Sequence, residues 1–309
     1  PRFELGTPSF RVKCSTVELF RPGKTRRSSL GLQISEKYFF LAIILRKISL
    51  LLLYSRSNNP PNQRSGGFRA AKKPAETGTM FKARLQPTPE QTFEIVGDGD
   101  YNFTDILAHS REMQDAGDVR QACDTRFRAF QRLAELIPDD EEVILEWNHR
   151  NSRAALELIH ASAVDHFLID DFEMSAALLE MLLDLDPEDH LEGSELLAFD
   201  YLAMDETELF DEVINDISDK CASREVLLLW SAFKRDGMLP EGELKHFKSR
   251  FASCFAEFTA LEHPADEAFL RDIGSERPTA GAQARELWLR TENLWSRWPE
   301  FIEALRRQQ

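Results

Sequence analysis

"DDFEMSAALLEMLLDLDPEDH", residues 170–190, is the stretch on which the reading of this chain turns. Its apolar residues recur at helical spacing, two acids sit where a helix dipole favours negative charge, and Asp186-Pro187 closes the run. A helix over 172–185 follows.

The same punctuation extends in both directions. Upstream, one helix is expected over 103–115, ending at Ala116-Gly117 with glycine at the usual left-handed position. Asp118 is expected to cap a second helix over 119–137, stopped by Pro138, and a third should run from Glu141 to Ile169 with a kink near Asn151-Ser152. Downstream, helices are expected over 191–204, 206–217 and from Ser223 to Gly237. An eighth runs from Pro240 to Leu261 and a short ninth follows Pro264. The tenth spans 280–298, meets Pro299 and resumes at Phe301. Only "QTFEIVGDGDY", residues 91–101, reads as extended, an arm or short strand with a turn at "GDG". Ten helices with short loops and no strand layer predict an all-α fold of antiparallel helix pairs.

Residues 156–190 are also the most specific part of the chain. They resemble a tetratricopeptide (TPR) repeat, a helix-turn-helix unit of about 34 residues closed by proline. With Pro187 as that proline, Ala163 and Ser175 fill the small positions where two helices must cross closely, and Leu179 and Leu182 fill the next positions. Ile159, Ser162, His166 and Leu182 depart from the residues the pattern prefers. Looser copies precede it (residues 116–142) and follow it (residues 192–217), and the resemblance covers about 118–218. Pro138 and Pro187 lie 49 residues apart, so the array is irregular. The resemblance implies a superhelix built from 102–236, with 237–309 as a helical cap and 80–101 as an arm. It also implies a concave groove lined by Glu157, His160, Val164 and Phe167. Family members clamp a C-terminal carboxylate with basic and asparagine residues, which these four positions lack.

Charge divides the chain at Met80, the first methionine. Residues 1–79 carry a net charge of +11 and residues 80–309 a net of −26. Three readings compete for the basic segment. It has the Arg- and Ser-rich, acid-poor composition of an organellar presequence. Its stretch 38–54 has about the minimum length needed to span a bilayer, but Arg46 and Lys47 sit at its centre at roughly 2.5–3.5 kcal/mol each. The third reading is upstream sequence ahead of a natural start at Met80, and the composition in every case predicts a segment outside the fold.

The acidic remainder repels phosphate backbones and anionic lipid, so nucleic acid and membrane are not expected partners; a basic or apolar protein segment is. Cys123, Cys221 and Cys254 are widely spaced, which suits a reducing, cytoplasmic location and no disulfide framework or zinc site. No P-loop, G-x-S-x-G or H-E-x-x-H is present, so no cofactor or reaction is expected. The histidines are scattered, and the paired acids lack the ligand spacing of a calcium loop. Phe247, Phe251, Phe255 and Phe258 form one helical stripe that predicts core. Trp288, Trp295 and Trp298 share a face that covers the open end of the stack or presents an aromatic patch. The expected protein is a non-enzymatic interaction scaffold. Its rivals are a small-molecule-binding helical protein or enzyme, and an imported or membrane-tethered version if residues 1–79 are genuine.

Overall fold

The computed structural model describes residues 83–138 and 141–309. The expectations for residues 1–79, the apolar stretch at 38–54 and the start at Met80 fall outside the described residues.

The chain enters as an antiparallel hairpin of β1 (Arg84–Pro87) and β2 (Phe93–Val96), with Leu85 opposite Ile95. The rest is helical: α1 (Phe103–Asp115), α2 (Val119–Ala134), α3 (Arg150–Phe167), α4 (Phe172–Leu185), α5 (Gly193–Ala203), α6 (Thr207–Val213), α7 (Ala222–Asp236), α8 (Glu241–Arg250), α9 (Ala252–Thr259), α10 (Glu267–Ile273), α11 (Ala280–Arg297) and α12 (Pro299–Arg306). The all-α expectation holds, with one small two-stranded sheet added. Buried apolar side chains form a single core from Ile95 to Leu305. Among the described residues no helix is long and apolar enough to cross a membrane.

Three successive helix pairs, α1/α2, α3/α4 and α5/α6, are joined by the same turn. Gly117, Asp170 and Asp205 each adopt positive φ (85°, 65° and 63°). The next N–H in each case returns to a carbonyl five residues back: Asp118 to Met113 (2.8 Å), Asp171 to His166 (3.0 Å) and Glu206 to Tyr201 (2.9 Å). This satisfies carbonyls that a helix end leaves unpaired, and it reverses the chain within two residues. Asp118 therefore contributes its backbone; its side chain makes no capping hydrogen bond, contrary to expectation. A Cβ at Gly117 would meet nothing within 4 Å, so only the left-handed backbone opposes a side chain there. Gly117→Ala should lower stability by about 1–2 kcal/mol, read as a reduced urea midpoint.

Two long helices predicted from the sequence are broken. Residues 143–145 are extended rather than helical: the Phe93 N–H donates to Ile144 O (2.8 Å), and the Leu145 N–H donates to Leu185 O (2.9 Å). The β-branched pair Val143-Ile144 suits this third, parallel run beside β2. Asn151 then ties the hairpin to α3, its Nδ2 donating to Ile95 O and Tyr101 O, both at 3.0 Å. The expected eighth helix divides at Phe251 (φ −120°, ψ 46°) into α8, which packs on α7, and α9, which packs on α11. Phe247 and Phe258 are fully buried, while Phe251 and Phe255 are only partly covered.

Of the positions predicted to pack the repeat, Ala163, Ser175, Leu179 and Leu182 are all buried. Pro187 is exposed and follows the Asp186 cap that ends α4. Ser175 has a further role, donating its hydroxyl to Asp200 Oδ2 of α5 (2.7 Å). Burial pushes the Asp200 carboxyl well above its ordinary range, with the Ser175 hydrogen bond opposing and the charge of Asp171 adding. The folded state therefore holds this proton at pH values where the unfolded chain has released it. Stability falls as pH rises from about 4, where a free aspartate ionises, through the folded-state pKa, and stays reduced above it. Asp200→Asn removes the charge and keeps an oxygen acceptor for Ser175. It should raise stability by about 1–3 kcal/mol at pH 8 and leave it unchanged at pH 3. Urea midpoints at the two pH values check this; equal gains at both would trace the effect to packing instead.

Candidate functional site

α11 packs along α9, and its side chains reach α3, α5 and α7 as well, so that these four helices form the walls of a channel that it fills. From Ala284 to Trp295 every residue of α11 is buried or partly buried, although its sequence is rich in charge. Neighbours that answer Arg285, Arg290 and Asn293 ease this conflict.

Three polar contacts mark its length. At one end, Asn293 Nδ2 donates to Phe167 O (2.8 Å) and Asp170 Oδ1 (3.2 Å), and Arg297 lies 3.8 Å from Asp170. In the middle, Arg290 pairs with Glu195 of α5, whose other oxygen accepts from Ser223 Oγ of α7 (2.7 Å). At the far end, Arg285 donates Nε (2.9 Å) and Nη2 (3.0 Å) to the two oxygens of Glu257 on α9. Burial pushes the Glu257 carboxyl up, but hydrogen bonds from Arg285 and His263 outweigh it and hold it below the ordinary range. His263 reaches Glu257 at 2.8 Å and stacks on Trp288 with ring centroids 3.9 Å apart.

Between these contacts the channel is aromatic. Trp295 packs against Phe199 of α5 (6.3 Å), Trp230 of α7 (5.3 Å), Phe258 of α9 (5.6 Å) and Phe301 of α12 (5.5 Å). Trp298 adds contacts to Phe172 and Trp230, and Lys234 Nζ stands 5.1 Å from its ring centre. The tryptophan face is thus covered by α5, α7 and α9 and forms no exposed patch.

The four residues predicted to line an open groove are covered, which corrects that expectation. Glu157 is drawn toward α1 by Arg111 (2.7 Å), with Arg153 of its own helix at 2.9 Å. His160 lies inside the channel, where burial and then the charge of Arg290 lower its pKa to about 4, so it is neutral at pH 7. Val164 and Phe167 are buried, and Phe167 takes part through its carbonyl, which accepts from Asn293. Sequence reasoning missed Arg285, Arg290 and Asn293. Their signal was three arginines, Arg285, Arg290 and Arg297, beside tryptophans in an otherwise acidic chain.

A separate cleft of about 470 Å³ lies over α1 and α2, lined by Asp100, Ile106, Thr125, Arg128, Arg132 and Glu135. Among the described residues no group of three or more His, Cys, Asp or Glu is placed to hold a metal ion, and no disulfide joins Cys123, Cys221 or Cys254. No protein-family model, curated protein or solved structure matches the chain.

Proposed function

We propose that the chain is a non-enzymatic, TPR-like helical-repeat adaptor of the cytoplasm that binds helical segments of other proteins. The observation that carries this reading is the grip on α11. Consecutive helices hold an amphipathic helix by buried tryptophans and by carboxylates on its arginines, which is the chemistry of helix-in-groove recognition. The repeated turns support the repeat architecture, because they join the two helices of each pair by the same backbone hydrogen bond. Positions Ala163 and Ser175 match the close-crossing sites that the TPR pattern requires.

The small-molecule rival expects ionisable groups enclosed together in a deep pocket. In the cleft over α1 and α2, Arg132 and Glu135 are instead 46% and 57% exposed and bonded to each other. Described cysteines that are not joined in disulfides suit a reducing compartment. The test is selection from a helical-peptide display library against the immobilised full chain, with affinities measured by anisotropy. Saturable micromolar binders with basic, aromatic-anchored sequences are expected. Failure to recover any saturable binder would overturn the adaptor reading.

A further inference from the structure

We infer that α11 is a displaceable resident of the channel, and that the channel's external ligand is a basic amphipathic helix with tryptophan or leucine anchors. This inference rests on the adaptor reading and adds both the chemistry of the ligand and its control.

Three observations converge on it. The contacts of α11 reach α3, α5, α7 and α9, so it spans the row of inner faces as a bound helix would. Its contacts with α3 and α5 join residues far apart in the chain, 126 residues for Asn293 to Phe167. Charge is complementary: residues 280–309 carry five arginines against four glutamates, whereas the body that holds them is strongly acidic. The arginines meet that body at Glu195 on α5, Glu257 on α9 and Asp170 in the turn after α3.

A partner helix is specified by the same points. It presents one arginine to Glu257 and a second, five residues on, to Glu195, with an indole or leucine set between Phe199, Trp230 and Phe258. The resident helix lowers the partner's apparent affinity by the fraction of molecules in which the channel is open. Loosening α11 should therefore tighten external binding by the same factor.

Hydrogen exchange on the full wild-type chain tests the first half. Amides of residues 284–297 should exchange at least about tenfold faster than those of α3, through an opening that leaves α3 closed. Exchange of α11 and α3 at one common rate would overturn the inference, because the two would then open only together. For the second half, the probe is a fluorescein-labelled synthetic peptide of residues 280–309. The full-chain variant Arg290→Ala/Asn293→Ala should accelerate α11 exchange, and it should bind the peptide more tightly than wild type by a matching factor. Adding Glu195→Arg should abolish that binding. If the peptide does not bind while α11 exchanges freely, the inference also fails. The wild-type exchange experiment needs no variant, so a poorly folding mutant leaves the inference testable. The two readings fail separately. Display binders with an α11 that never opens alone sink only the resident-helix inference, whereas an opening α11 with no display binder sinks the adaptor reading.

Discussion

Replacing Asp165 with leucine is expected to destabilise the protein by about 3–5 kcal/mol. The reason lies where α1, α2 and α3 meet. The Arg126 guanidinium there is only 4% exposed and Asp165 only 7%. Both carboxylate oxygens of Asp165 stand 3.4 Å from Arg126 Nη1, Gln114 Oε1 accepts from Nη2 (2.5 Å), and Ser110 Oγ accepts from Nε (3.3 Å). Burial, with Arg111 adding, lowers the pKa of Arg126 to about 10, so it is still charged at neutral pH. Removing only the carboxylate strands that charge in a site with few other acceptors. Removing both groups does not. Arg126→Met/Asp165→Leu should recover most of the loss, because apolar side chains of similar size fill the space without a desolvated ion. Urea unfolding followed by far-UV circular dichroism measures both variants. A loss below about 1 kcal/mol in the single variant would mean that water reaches the guanidinium.

The second large effect is expected at Trp295→Ala, about 3–5 kcal/mol. The side chain is 4% exposed, touches four aromatic rings from four helices, and has its indole N–H satisfied by Thr291 Oγ1 at 2.9 Å. Those rings are held by separate helices and cannot all move in to fill the space, so a cavity remains. The loss should fall on the closing of α11. Hydrogen exchange in 284–297 should accelerate while α3 amides keep their wild-type rates. Equal acceleration in both would place Trp295 in a core that unfolds as one unit.

Much of the helical framework was legible because its ends are written in local chemistry. Gly117 and Gly237 take the left-handed conformations that their positions promised, and helix starts at Asn102 and Thr279 are capped by their own side chains. The failures occur where a distant partner overrides local pattern. Residues 143–145 have the periodicity of a helix, but β2 and the end of α4 supply their hydrogen bonds. From Glu243 to Leu261 the run through Phe251 contains no glycine or proline. It divides because its two halves are drawn to different neighbours, α7 and α11, and that division appears in no local signal. The groove residues illustrate a third limit. His160 and Phe167 lie in the half of a predicted helix that does form, yet their environment depends on Arg290 and Asn293, more than a hundred residues later, while Glu157 is set by Arg111 of α1. The stretch 280–309 showed arginines and tryptophans, and nothing local tells whether such a face meets solvent or the inside of its own chain.

The position of α11 in the chain also fixes an order of events during synthesis. The helix pairs up to α6 rest on neighbours in sequence, and such local contacts form early and fast. The closing helix follows all of them at the ribosome, and at roughly 5–20 residues per second its emergence takes seconds. Through that interval a nascent chain carries Phe199, Trp230 and Phe258 uncovered beside Glu195 and Glu257. Every new molecule therefore passes through youth as an empty cradle. Whatever helix is nearest at that moment, its own or another's, has the first chance to settle there.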